Sequence, residues 1–318
     1  MTLDNIRIIN IQGVGKNYTR YDRDNCYDRD TRFSFLERLV HQHQPTVLLL
    51  DDPYDGDSFR SVIFRKYENV QSDMNENIVM LYDKDRVSAQ KQRDLKPNFQ
   101  YLNPDNIVIP NIEILSPLPM QTVINRFACV TWSEATIYEE ENRRNAWMEE
   151  LISYSQHIAM TRNLPILMGG DFKFPIPELK KLVNSRNKSV FSDLREKTQP
   201  MFDEIGIGLA SQVDYQLGRH KRLLTMKVHE VQGTMSRNDC FVASQELRLR
   251  DPSFISIEEL WSTAIYMYGE KECQGGRPEK ISNQTTMNGY YHQERPTQFC
   301  PTKTDIYVPP RPPKHHGG

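Results

Sequence analysis

Leu167-Met-Gly-Gly-Asp-Phe-Lys173 is the end of an apolar run that begins at Pro165 and stops abruptly at two glycines and an acid. Pro165 to Met168 reads as a strand covered on both faces, and Gly169-Gly170-Asp171 as the turn chemistry that closes it. If residues 171 to 173 stay extended, Asp171 and Lys173 project from one face, because side chains alternate along a strand.

Immediately upstream, Trp147, Leu151, Tyr154 and Ile158 recur at steps of three or four, which predicts a helix over 139–163 with Trp147 as a core anchor. Before it, Phe127 to Trp132 reads as a strand. Near the start of the chain, Ile6 to Ile11 is a β-branched strand that ends at Gly13 and Gly15. Phe35, Leu36, Leu39 and Val40 then keep helical spacing until Pro45. Thr46 to Leu50 is wholly apolar, the mark of a strand covered on both faces, and halts at Asp51-Asp52-Pro53. Further strands are expected at Ser61 to Phe64, Asn77 to Tyr82 and Ile107 to Ile114. Downstream the reading gives a short helix over Pro177 to Val183, strands at Val213 to Leu217, Arg222 to Val231 and Cys240 to Leu249, and a last helix over Ser256 to Tyr268. Strands that follow one another, mixed with strands joined by helices, predict a two-sheet core with helices outside.

Composition sets the class. The 318 residues are 38% apolar and 26% charged, the balance of a soluble globular chain. A formal charge of −2 gives no bulk attraction to nucleic acid. The five cysteines, Cys26, Cys129, Cys240, Cys273 and Cys300, are odd in number and widely spaced. That argues against a disulfide framework and against zinc, and predicts a reducing intracellular compartment, cytoplasmic or nuclear. The N-terminus lacks the order of a secretory signal, and no apolar run approaches the ~20 residues that cross a bilayer, so no membrane association is expected. From about Gly269 the chain is rich in Gly, Pro, Gln, Asn and Thr. The expected organisation is therefore one domain over 1–268 and a disordered tail over 269–318. That tail carries Val308-Pro-Pro-Arg-Pro-Pro313, a polyproline-II segment of the kind an SH3 or WW partner takes, and ends near His315-His316.

Six segments, in chain order, resemble the signatures of the endonuclease/exonuclease/phosphatase superfamily and span roughly residues 5 to 250. IINIQG, from Ile8, is similar to a first strand ending in Asn and then Gly. VLLLDD, from Val47, resembles a strand ending in Leu-Gln-Glu. CVTWSEAT, from Cys129, resembles the strand that delivers a His before the long helix. LMGGDFK resembles the GDFN strand end. VDYQL, from Val213, and RNDCFVASQEL, from Arg237, resemble an Asp-Tyr strand and the Ser-Asp-His strand. The resemblance implies an α/β (α+β) four-layer sandwich of two packed, mainly antiparallel sheets flanked by helices.

It also implies a chemistry. A carboxylate and an Asn hold Mg²⁺, which polarises a phosphate; the GDxN Asp orients water; two imidazoles move protons, one held by the Asp of the Asp-Tyr strand. Carried over residue by residue, Asn10 matches the first-strand Asn, Asp171 the GDxN Asp, Asp214 the His-orienting Asp and Asp239 the Asp of Ser-Asp-His. Asp52 stands for the metal-binding Glu with a stem one methylene shorter. Asp52, Asn10 and Asp239 are thus the metal ligands the resemblance implies.

Three positions depart from the pattern. Ser133 follows Trp132 where one His is expected, Cys240 follows Asp239 where the other is, and Lys173 replaces the GDxN Asn. Losing one general acid or base typically costs about 10²-fold to 10⁴-fold in rate. Lys173 is the informative change: its ammonium is expected to stand in for the charge of Mg²⁺ among Asp52, Asp171 and Asp239, leaving the site without a metal. Two functions follow: a catalytically impaired member, a pseudoenzyme acting in binding or as a scaffold, and a working Mg²⁺-dependent nuclease or phosphodiesterase on a rearranged site. A third is a binder that holds nucleic acid or a phosphate ester through Lys173 and the basic run Arg219-His-Lys-Arg222, which is read as part of a strand connection. His41 and His43, at the end of a helix, read as solvated.

Overall fold

The computed structural model describes residues 5–11, 29–51, 63–71, 78–91, 99–103, 106–117, 121–132, 141–172, 174–204, 218–231, 239–255 and 301–307, with the backbone alone at 29–35, 51, 63–64, 71, 171, 193–204 and 239. Thirteen strands are described. One sheet combines β1 (Ile6–Ile11), β2 (Val47–Asp51), β3 (Tyr67–Gln71), β4 (Ile78–Asp83), β12 (Leu249–Phe254) and β13 (Thr302–Ile306) in the order β12-β13-β1-β2-β4-β3. The other combines β5 (Val87–Lys91), β7 (Pro110–Leu115), β8 (Val123–Trp132), β9 (Ile166–Asp171), β10 (Met226–Glu230) and β11 (Asp239–Ser244) in the order β10-β11-β9-β8-β7-β5, with β6 (Ile107–Val108) paired to the end of β8. Pairing is antiparallel except for β1 with β2 and β8 with β9. The helices are α1 (Arg29–His43), α2 (Glu141–Arg162), α3 (Ile176–Glu204) and a helical stretch at 218–224.

Period-two alternation builds the layers. Ile6 and Ile8 of β1, and Val47 and Leu49 of β2, meet Phe127 and Cys129 of β8, Leu167 of β9 and Phe241 and Ala243 of β11 in the core between the sheets. The residues between them, Ile9, Ile11, Leu48 and Leu50, turn outward onto Leu36, Leu39 and Val40 of α1. On the far side Val130, Trp132, Met168 and Val242 lie under the stripe Trp147, Met148, Leu151, Ile152, Ile158 and Ala159 of α2. The chain is therefore an α/β sandwich of two mixed, mainly antiparallel sheets between layers of helix.

Local chemistry sets the boundaries. α2 stops where Asn163 takes a left-handed φ of 52°, a conformation its short polar side chain tolerates, and Leu164 N–H closes onto the Ala159 carbonyl. α3 opens with Pro177 in its first turn, where the missing N–H costs nothing. It was expected only to Val183, but runs to Glu204. The apolar spacing lapses because a buried polar residue, Asn187, takes the core position. Its amide group donates to the Met226 carbonyl at 2.9 Å and accepts from the Met226 N–H at 3.0 Å, completing an edge of β10.

Other expectations need correction. Residues 63–66 form a 3₁₀ turn rather than a strand from Ser61 to Phe64, and only β10 within Arg222 to Val231 is extended, residues 218–224 being helical. Within the span read as a disordered tail, Thr302–Ile306 is β13, antiparallel to both β12 and β1. Its alternation is carried by Thr302, Thr304 and Ile306, all buried, a pattern easily taken for polar low complexity. Arg7 fixes it further through an ion pair to Asp305 at 3.0 Å. The Val213 to Leu217 strand, the Ser256 to Tyr268 helix and the 308–313 segment lie outside the described residues.

Candidate functional site

Hydrogen bonds at the turn between β4 and β5 establish which strand ends share a side of the sandwich. Asp83 N–H bonds the Thr46 carbonyl at the start of β2, and Arg86 Nη2 donates to the Asn5 carbonyl at the start of β1. The Arg86 carbonyl in turn accepts from Leu115 N–H, and Leu115 pairs with Val123 at the start of β8. β1, β2 and β8 therefore start at one end, and β9 runs parallel to β8. Their last residues, Ile11, Asp51, Trp132 and Asp171, together with the first residue of β11, Asp239, lie at the opposite end.

Register then assigns faces. Asn10 follows Ile8 by two and so sits on the inter-sheet face, buried, paired across to Leu49 on one side and Thr302 on the other. Asp171 follows Leu167 and Gly169 on that face, and Asp239 precedes Phe241 on it. Asp171 and Asp239 are direct partners in the β9–β11 ladder, so their Cα atoms stand about 4.5–5.5 Å apart.

The two glycines allow this end to close. A Cβ on Gly169 would come within 2.8 Å of Leu49 Cδ1, across the gap between the sheets. On Gly170 it would fall 2.6 Å from Trp132 Cζ2, on the opposite, helix-facing side. Gly169 thus brings Asn10's neighbour Leu49 against the strand that ends in Asp171. Trp132, at the end of β8, is buried edge-on to Phe172 at 4.8 Å and Trp147 at 6.1 Å, a rigid aromatic floor on the helix side. Arg144, in the first turn of α2, lies over the Phe174 ring at 5.6 Å.

Of the residues singled out from sequence, Asn10, Asp171 and Asp239 come to one end and one face. Cys240 has its backbone there, but its side chain packs on the helix side with Met168, Trp132 and Val242, 2% exposed. Asp52 and Ser133 each follow the last described residue of a strand ending at this mouth; they, Lys173 and Asp214 lie outside the described residues. Two positions escaped the sequence reading. Asp51 pairs with Ile78 and holds the inter-sheet register of Leu49, which counting by twos through VLLLD would have revealed. Thr302, buried beside Asn10, comes from β13 and had no sequence signal strong enough to find it.

The inter-sheet face also carries His229, which is half-buried and in register with Phe241. Burial, and then the neighbouring Lys227 charge, hold its pKa below the ordinary imidazole value. The Cys129 thiol in the same core is pushed up to about 12 by burial and stays protonated.

Magnesium takes hard oxygen donors and keeps much of its water. An amide oxygen from Asn10 and carboxylates from Asp171 and Asp239 are donors of that kind, so the residue types at this end fit such an ion. Among the described side chains, no three of His, Cys, Asp or Glu lie close enough to share one metal. No described helix is long and apolar enough to cross a membrane.

No family model matches the sequence, and no curated protein does. Solved structures do match, across nearly the whole chain. An endonuclease/exonuclease/phosphatase family protein from Bacteroides thetaiotaomicron superposes with a TM-score of 0.50 at 8% identity, over 95% of this chain and 97% of its own. A mannosyl-6-phosphatase from the same organism gives 0.50 at 9% identity, over 95% and 99%. The human Nocturnin catalytic domain, solved with a bound sulfate anion, gives 0.50 at 12% identity, over 96% and 95%. At these identities the likeness establishes the fold: this is the DNase I-like sandwich of endonuclease/exonuclease/phosphatase proteins.

Proposed function

We propose that this chain is a DNase I-like sandwich that has lost efficient phosphodiester hydrolysis and acts as a binding or scaffold protein. The observation that carries the reading is Cys240. It stands at the second imidazole position of the resemblance, yet its thiol is sealed into the helix-side layer and cannot move protons at the mouth. The first imidazole position holds Ser133, whose hydroxyl is no acid near neutral pH. His229 lies a register step back from Asp239 and favours its neutral form, a poor proton donor. In this reading Lys173 supplies the positive charge that Asp171 and Asp239 require, and the tail segment 308–313 recruits an SH3 or WW partner.

A second reading keeps the enzyme, because Asn10 and the Asp171–Asp239 pair bring oxygen-donor residue types to one end of the sandwich. Asn10, Asp239 and Asp52 would then hold Mg²⁺, which polarises a phosphate oxygen when bound. Turnover decides between the readings. Purified protein is incubated with bis-p-nitrophenyl phosphate, single-stranded and duplex DNA, RNA and inositol phosphates, with Mg²⁺ or Mn²⁺. No hydrolysis above background is expected. Hydrolysis that Asp171→Ala abolishes would overturn the proposal and establish the enzyme.

A further inference from the structure

The basic run Arg219-His-Lys-Arg222 lies at the end of the sandwich opposite the acidic mouth. β10 pairs Glu230 with Cys240, next to Asp239, and Met226 with Ser244 at the far end of β11. The 218–224 helix finishes against that far end: Ser244 Oγ donates to the Leu223 carbonyl at 2.6 Å, and Gln156 Nε2 to the Leu224 carbonyl at 3.0 Å. α3 runs alongside β10 in the opposite sense, from the mouth toward this far end. Lys180 near its start pairs with Glu230, while Asn187, two turns on, bonds Met226. One turn further, Lys221 lies over the Phe191 ring at 5.4 Å, joining the two helices.

Cations outnumber acids around this junction, where the exposed Glu246 lies in the turn that Gln245 N–H ties to the Thr225 carbonyl. Lys188 lies a turn before Phe191 on α3, and Arg219 and Arg222 sit three apart on the short helix, hence on one side of it. Lys188, Lys221 and Arg222 are exposed and Arg219 is half-exposed. No ion pair joins any of the four to a described acid. Opposed ends of opposite character let a chain of net charge −2 present a local cationic surface.

We propose that Lys188, Arg219, Lys221 and Arg222 form a docking surface for the phosphodiester backbone of nucleic acid, separate from the mouth at Asp171 and Asp239. Four cations on two adjoining helices supply positive charge of the kind that takes a phosphate backbone, and Phe191, half-exposed under Lys221, holds the two helices together. Among the described residues of the two helices, none is an exposed large apolar side chain. The proposal does not depend on whether the mouth is catalytic.

Fluorescence anisotropy with labelled single-stranded RNA and DNA of about 20 nucleotides tests it, each contact on a single strand contributing about −0.7 to the slope of log K against log salt. Four contacts predict a slope near −3, a loss of roughly fiftyfold in affinity between 50 and 200 mM salt. Each of Lys188→Gln, Arg219→Gln, Lys221→Gln and Arg222→Gln should flatten that slope by about 0.7, a readout that mere loss of structure would not give. Arg219→Glu combined with Arg222→Glu should abolish binding with an unchanged thermal melt, and Asp171→Asn should leave binding intact. RNA and DNA binding alike would place recognition in the phosphate; a preference for RNA would add the 2′-hydroxyl. Unchanged slopes in all four variants would overturn the proposal. So would binding that only Asp171→Asn disturbs, or retention on phosphatidylserine vesicles without oligonucleotide binding.

Discussion

Asp171 at the end of β9 and Asp239 at the start of β11 are cross-strand partners on the face between the sheets, one step from the mouth of the sandwich. In the proposed reading the Lys173 ammonium serves these two strand ends in place of a metal ion. With Lys173 in that role, calorimetric titration of Mg²⁺ should show no saturable site at millimolar concentration. Lys173→Met should then lower the melting temperature, and Mg²⁺ should restore it in the variant alone. A saturable Mg²⁺ isotherm with the unaltered protein would refute the lysine substitution.

Gly170 tolerates no side chain, because the rigid six-membered ring of Trp132 occupies the space. Gly170→Ala should destabilise the fold by about 1–3 kcal/mol, the usual cost of overpacking. Trp132→Phe removes ring atoms that the new methyl would strike, so the double variant should lose less than the sum of the two singles. Strictly additive losses in a double-mutant cycle would show that the clash is relieved elsewhere.

Ending the chain at residue 268, the boundary expected from composition, removes β13 from between β12 and β1. The shortened protein should lose cooperative unfolding and enter inclusion bodies, whereas a chain ending at residue 307 should melt like the full one. Soluble 1–268 protein with an unchanged melt by circular dichroism would contradict the sheet order found here.

His229 makes stability depend on pH. Its folded-state pKa lies below the ordinary imidazole value, so on acidification the unfolded chain takes up the proton first. The stabilisation is complete above about pH 6.5 and is lost as pH falls from there toward the lowered folded value. His229→Gln should flatten this part of the curve of urea midpoint against pH. A curve unchanged by the substitution would assign the acid sensitivity to other groups.

Where the sequence was readable, it was readable for a physical reason. β1, β2, β8 and β9 are β-branched or aliphatic runs between two covered faces, and each ends sharply at polar or small residues, so both strand and mouth are visible. β13 alternates with threonines and lies among residues whose composition argues against any core. α3 continues past Val183 on Asn187, whose buried amide is satisfied by a strand distant in sequence. Cys240 matched a motif position, but alternation from Phe241 and Val242 puts its side chain in the helix layer, which only the ladder with β9 reveals. Asp51 shows the opposite case: alternation by twos through VLLLD gives it the register of Leu49, a pattern legible in five residues.

The ion pair between Arg7 and Asp305 spans 298 residues of sequence, and that separation has a consequence during synthesis. β1 leaves the ribosome first and β13 last among the described strands. At about 5–20 residues per second, the stretch from β12 to β13 takes roughly 2 to 10 s to appear. Through that interval the edges of β1 and β12 that β13 comes to cover lack their partner among the described strands. Unpaired strand edges are where one chain pairs with another, so the interval before β13 appears is the one in which edge-to-edge association is open.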